Sequence, residues 1–177
     1  HAGGAPWDGI NALNAAMAAM VCINAMRETF RDSDKIRVHP IITKGGDLVN
    51  IVPADVTMET YVRGATPAAV ADASAKVDRA IRGAAYAVGA EVEIRDVGGY
   101  APLAQNKELS ALFAANARAF LPEDRILSGI DMVGSTDMGD VSQALPAIQP
   151  TCGGYSGGAH GADFRVTDAR AAVLLPT

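Results

Sequence analysis

Residues 66–89, "TPAAVADASAKVDRAIRGAAYAVG", constrain the fold more than any other stretch. Thr66 suits a helix cap, because its hydroxyl can accept from an amide of the first turn. Pro67 suits the first helical position, where an amide has no intrahelical partner anyway. Gly89 supplies the stop. The spacing predicts one long helix, which must bury a face against a sheet or another helix.

The flanking elements say which. Upstream, "NALNAAMAAMVCINAM" predicts a helix over about residues 11–30, with Asp8 as cap. Ile10, Leu13, Met17, Met20, Val21 and Met26 fall near helical spacing and are expected on its buried face. Next, "RVHPIIT" and "VNIVPADVTMETYVRG" predict two strands joined by a turn at Gly45-Gly46-Asp47. Val56, Met58, Thr60 and Val62 alternate with Thr57, Glu59, Tyr61 and Arg63, the period of a strand. Pro40 and Pro53 fall near strand starts, where a missing donor is tolerated. Downstream, "EVEIRDVGGYAPL" predicts a further strand.

Helix, strand, strand, helix, strand is the order of a βαββαβ two-layer sandwich whose first strand is missing, an α+β architecture. The chain starts at His1 and closes on "ARAAVLLPT", so both ends read as cut from something longer. Past Pro102 the texture changes. "NKELSALFAANARAFLP" predicts a helix capped by Asn106 and stopped by Pro122. The stretch from Arg125 to Phe164 reads as loop-rich, and "TDARAAVLL" begins a last helix capped by Thr167.

Several function classes drop out. The net charge is -5, and no basic stripe is present to neutralise phosphates, which argues against nucleic acid. No apolar run approaches the roughly 18 residues of a membrane span, and no signal peptide is visible. Cys22 and Cys152 stand far apart and read as reduced thiols of a cytoplasmic protein. A phosphate-binding Gly-Lys loop, a Cys-x-x-Cys pair and a nucleophile elbow are absent from the sequence.

What remains is a short set of candidates. "VGSTDMGDVS" offers Ser135, Thr136, Asp137, Asp140 and Ser142 between glycines, either a polar turn or a ligand-contacting loop. His160 in "GAHGADF" is either a metal ligand or a surface-loop histidine, with Asp163 three residues on as a weak partner. His1 opens a flexible loop and is either an imidazole that could donate to an oxyanion or a leftover of cloning. Asn50 and Arg63 share one expected strand, and a strand arginine either grips a carboxylate in a fork or, more commonly, is a solvated edge charge. His39, before Pro40, reads as structural.

Four stretches in order, "HAGGAPWDGINAL", "VNIVPADVTMETYVRG", "VGSTDMGDVS" with a following proline, and "GAHGADF", resemble the dinuclear zinc exopeptidase and amidohydrolase family. That family includes aminoacylase, carnosinase and glutamate carboxypeptidase, and the branch most similar is that of the aminobenzoyl-glutamate utilisation proteins. The resemblance covers essentially the whole chain. It implies a lid and dimerisation domain over residues 1–102, then the incomplete C-terminal part of an αβα catalytic domain over 103–177.

By the same resemblance, His1 helps polarise the scissile carbonyl in the partner subunit. Asn50 and Arg63 hold the substrate, with Arg63 on its carboxylate, and Ser135, Thr136 and Asp137 contact it from a loop. His160 is the last metal ligand. The parent would carry two divalent metal ions, zinc first with manganese or cobalt as alternatives, and this chain none. It would hydrolyse an amide bond of an N-acyl amino acid or dipeptide-like substrate as a homodimer. The family's other ligands and its Glu base precede the lid and have no counterpart here, so the chain alone is expected to be inactive. A non-enzymatic βαββαβ module for dimerisation or small-ligand binding is the rival reading.

Overall fold

The computed structural model describes residues 1–130 and 135–173. The start of "VGSTDMGDVS" (133 and 134) and the end of the last expected helix (174 and 175) lie outside the described residues.

The first helix, α1, is Ala12–Ala25. Its cap is Asn11, whose side-chain oxygen accepts from the amides of Leu13 at 3.0 Å and Asn14 at 3.1 Å. Asp8, the expected cap, belongs to a separate 3-10 turn, Pro6–Asp8, too early to reach those amides. The helix also ends earlier than expected, tightening into a 3-10 turn, Met26–Thr29. There the Thr29 hydroxyl donates to the Met26 carbonyl at 2.7 Å.

The second helix, α2, is Pro67–Ala87 and matches the sequence reading at both ends. Thr66 Oγ1 accepts from the Ala69 amide at 3.1 Å, and Gly89 sits at φ +75°, a conformation glycine adopts without strain.

The helix α1 packs along α2, but not through the face expected for it. The buried residues of α1 are Ala15, Ala19 and Ile23, spaced four apart. Ile23 joins Ala69, Ala73, Val77 and Ala80 of α2 in one buried cluster. Met17 and Val21 are 55% and 69% exposed, and Ile10 is exposed too. Alanine on both sides lets the axes approach closely, and the large side chains of the expected face would hold them apart. Met26 alone of that set packs against the core, beside Phe30.

Four short strands follow: β1 (Arg37–Val38), β2 (Ile41–Lys44), β3 (Thr57–Glu59) and β4 (Val62–Arg63). The strand β1 pairs antiparallel with β4, and β2 with β3, in one register: Arg37 faces Arg63, Val38 faces Val62, Ile41 faces Glu59. This is one hairpin interrupted at Pro40, which has no amide to donate. The expected alternation holds, with Val56, Met58, Thr60 and Val62 turned inward and their neighbours exposed. Val38 is fully buried, and Met58 and Val62 pack on the α1–α2 core.

The tight turn at Gly45-Gly46-Asp47 does not form. The ladder slips between Ile42 and Lys44, and residues 45–56 make a loop. Residues 48–51 are a turn rather than a strand, with the Ile51 amide donating to the Leu48 carbonyl at 3.2 Å. The neck is closed by Lys44 and Asp55 at 2.7 Å. Gly46, at φ +128°, lies against Pro53, where an added Cβ would sit 3.0 Å from the proline ring.

The strand expected in "EVEIRDVGGYAPL" is also absent, and residues 91–100 carry no ladder. A strand needs a partner for its backbone groups, and no described strand lies alongside. The segment's contact with α2 includes an unfavourable one. Burial and the nearby Asp96 carboxylate raise the Asp78 carboxyl above its ordinary range, with Arg82 acting the other way.

The rest is more open. The helix α3, Lys107–Ala117, is capped by Asn106 as expected, accepting from Leu109 at 2.9 Å, yet buries no residue completely. Then come α4 (Asp137–Ala144), the hairpin β5 (Tyr155–Ser156) with β6 (Arg165–Val166), and α5 (Ala169–Val173). Asp168, not Thr167, caps α5, accepting from Arg170 at 3.0 Å and Ala171 at 3.1 Å. Among the described residues, Ala147 is the only buried hydrophobic beyond Ala85.

Candidate functional site

The opening loop is folded on its own histidine. His1 Nδ1 accepts from the Gly3 amide at 3.1 Å, and its carbonyl accepts from Gly4 and Ala5 at 3.2 and 3.1 Å. A nitrogen that accepts carries no proton in neutral imidazole, so the N–H lies on Nε2. His1 is exposed, so that N–H is presented outward.

The loop is tied to the second motif by one backbone bond, from the Ala2 amide to the Asn50 carbonyl at 2.9 Å. The first turn of α1 joins the same place, with the Ala12 amide donating to the Pro53 carbonyl at 2.9 Å. The structure thus brings His1 and Asn50 together at the N-terminal end of α1.

It does not bring Arg63 to them. Arg63 lies on the outer face of β4, its guanidinium 5.4 Å from the Tyr61 ring centroid. That end of the hairpin meets the other end of α1, where Arg27 Nη2 donates to the Val38 carbonyl at 2.9 Å. The helix α1, 14 residues and about 20 Å long, runs between the two places. Directly across the ladder from Arg63 stands Arg37, also exposed, which the sequence reading missed. The arginine itself was legible, but the pairing needed the register, which the long loop hides.

Ser135 and Thr136 lead into α4, with Thr136 as its cap and Asp137 as its first residue. Thr136 Oγ1 accepts from the Met138 amide at 3.2 Å and donates to Gln149 Oε1 at 2.8 Å. Asp137 accepts from the same amide at 3.0 Å, and Ser135 forms a bridge with Pro102.

The rest of the helix acts as a clamp that sequence reasoning did not anticipate. The Asp140 carboxylate accepts from the Ala101 amide at 2.8 Å, and Ser142 Oγ from the Ala104 amide at 2.9 Å. Gln143 donates to the Pro102 carbonyl at 2.7 Å. The polar residues between glycines therefore dock residues 101–104 on α4. Gly139 makes this possible, since a Cβ there would overlap the Ala101 carbonyl. Gly139→Ala is expected to cost about 1–3 kcal/mol of overpacking and to release this segment, read as faster amide exchange at Ala101 and Ala104.

His160 lies in the turn of the β5–β6 hairpin, which is stapled by Tyr155 and Phe164 rings 5.3 Å apart. Its side chain is exposed, and no hydrogen bond joins it to Asp163. Among the described residues, no group of three His, Cys, Asp or Glu side chains is gathered that could hold a metal ion. One imidazole does not hold a metal pair, so these residues alone do not fit a dinuclear centre.

Residues 1–89 match the peptidase dimerisation domain of the M20 family. The chain is 34% identical over 155 residues to an Xaa-Arg dipeptidase of Mus musculus and 35% identical over 157 residues to that of Homo sapiens. Each alignment covers 85% of this chain and 35% of the relative. A component of the p-aminobenzoyl-glutamate hydrolase of Escherichia coli is 33% identical over 98 residues, 55% of this chain and 22% of that one. The chain thus spans about a third of the dipeptidases it matches. No helix among the described residues is long and apolar enough to cross a membrane. A long capped helix against a second helix and a hairpin, with the match spanning all of these elements, places the chain in the M20 peptidase dimerisation-domain family.

Proposed function

We propose that the chain is the lid, over residues 1–102, and part of the catalytic domain, over 103–177, of a metal-dependent amidohydrolase. Its substrate is an N-acyl amino acid or a dipeptide-like amide. The observation that carries this is the bond between Ala2 and Asn50, which sets the histidine loop against the Asn-x-Val-Pro loop with His1 Nε2–H facing out. An outward N–H on a pinned ring is a donor suited to the oxygen that gains charge as an amide is attacked.

In this reading the donor serves the partner subunit of a homodimer. The outward residues of α1, Met17 and Val21, support pairing, since exposed apolar side chains on a helix favour a covering surface. Asn50 contacts the bound amide beside His1. Arg63 anchors a substrate carboxylate, its guanidinium lying over the Tyr61 ring. Ser135, Thr136 and Asp137 border the substrate from the start of α4. His160 contributes one ligand to a pair of divalent ions, zinc being the first choice. The remaining ligands and the general base come from residues outside this chain. The metal pair would polarise the carbonyl and supply activated water.

The test is a comparison of two proteins. The 177-residue chain, supplied with zinc, is expected to hydrolyse N-acyl amino acids and Xaa-Arg dipeptides no faster than buffer. The protein extended upstream is expected to hydrolyse at least one of them and to lose that activity to a chelator. Zinc-dependent hydrolysis by the short chain, or none by the extended one, would refute the assignment.

A further inference from the structure

We propose that Arg37 and Arg63 form a two-point anion site on the outer face of the hairpin, so that the carboxylate anchored there is one half of a dicarboxylate. The inference rests on the reading of Arg63 given above and adds Arg37 to it. The two residues are Cα partners in the β1–β4 ladder, so both side chains leave the same face. Cross-strand partners carry their Cβ atoms about 5 Å apart, close enough for two guanidinium groups to share one small ligand.

Like charges set directly opposite are unfavourable to a hairpin, so the fold gains nothing from this pair. Among the described residues neither guanidinium meets a carboxylate. Arg37 spends Nη1 on the Ile36 carbonyl at 2.9 Å, which steadies the side chain and leaves its other donors free. Arg63 is held over Tyr61. His39 and Tyr61 face one another in the continued register and extend the polar surface along the same side. Two cationic forks, each fixed by a neighbour, are built to receive two negative charges, and the chain's overall charge of -5 makes such a local pair the more distinct.

The test compares succinate with butyrate, its neutral-ended counterpart, by NMR titration of the 177-residue chain. Succinate is expected to bind about fivefold more tightly at low salt, the effect of one added partly exposed ion pair. Arg37→Gln should bring the two acids to parity without changing butyrate, and Arg37→Lys, which keeps the charge, should retain most of the preference. Arg63→Gln should weaken both acids. Arg79→Gln, an exposed change on α2, should alter neither. A preference that survives Arg37→Gln removes Arg37 from the site and leaves the reading of Arg63 standing. Binding of both acids that is indifferent to Arg63→Gln overturns both, and equal binding of the two acids by the unmodified chain overturns the two-point site.

Discussion

On the function proposed above, His1→Ala in the protein extended upstream is expected to lower kcat by about 10²–10³-fold while KM moves only a few-fold, the signature of a lost hydrogen bond to the developing oxyanion. The size follows from the geometry. The ring is fixed by the Gly3 amide on Nδ1, so the donor is aimed before substrate arrives and no reorganisation is needed during reaction. Steady-state kinetics with an N-acyl amino acid checks it.

A mixing experiment then separates a donor acting across the dimer from one acting within its own protomer. A His1→Ala protomer paired with one that lacks the general base forms one complete site only if the histidine serves its partner. Activity above that of either homodimer supports the crossed arrangement. Activity no greater than the parents' places His1 in its own protomer's site, and an unchanged kcat in His1→Ala itself removes it from the chemistry.

The second large effect concerns the core. Ile23→Ala is expected to destabilise the chain by about 2–5 kcal/mol, since it removes a side chain 1% exposed at the junction of α1, α2 and β1. Ile23→Val should cost about 0.5–1.5 kcal/mol at the same site. Met17→Ala, on the outward face of the same helix, should stay within about 0.5 kcal/mol at concentrations too low for dimers. Urea unfolding of the three variants reads the ranking directly. If Met17→Ala proves the costly one, the buried face of α1 has been assigned the wrong way round.

These two predictions sit on different footings. His1, Asn50, Arg63 and His160 were legible as candidates because chemistry-bearing residues stand out among glycines and prolines. Their company was not. Arg63 stands toward the other end of α1 and faces Arg37 instead. Asp140 and Ser142 carry the same polar groups as a ligand loop would, but spend them on the amides of Ala101 and Ala104.

By itself the sequence determined what is local. Thr66, Pro67 and Gly89 bound α2, Asn106 caps α3, and the alternation from Val56 to Val62 names the inward face of the hairpin. Each of these depends on groups a few residues apart, so the chain carries the information wherever it is. Tertiary structure alone decided which face of α1 is buried, where the hairpin turns and which side chains meet across the ladder. Apolar residues on α1 lie nearly all round, so the choice fell to fit against α2, and the alanine seam allowed the closer approach. Residues 91–100 make the same point from the other side, for a β pattern without a partner strand has nowhere to place its hydrogen bonds.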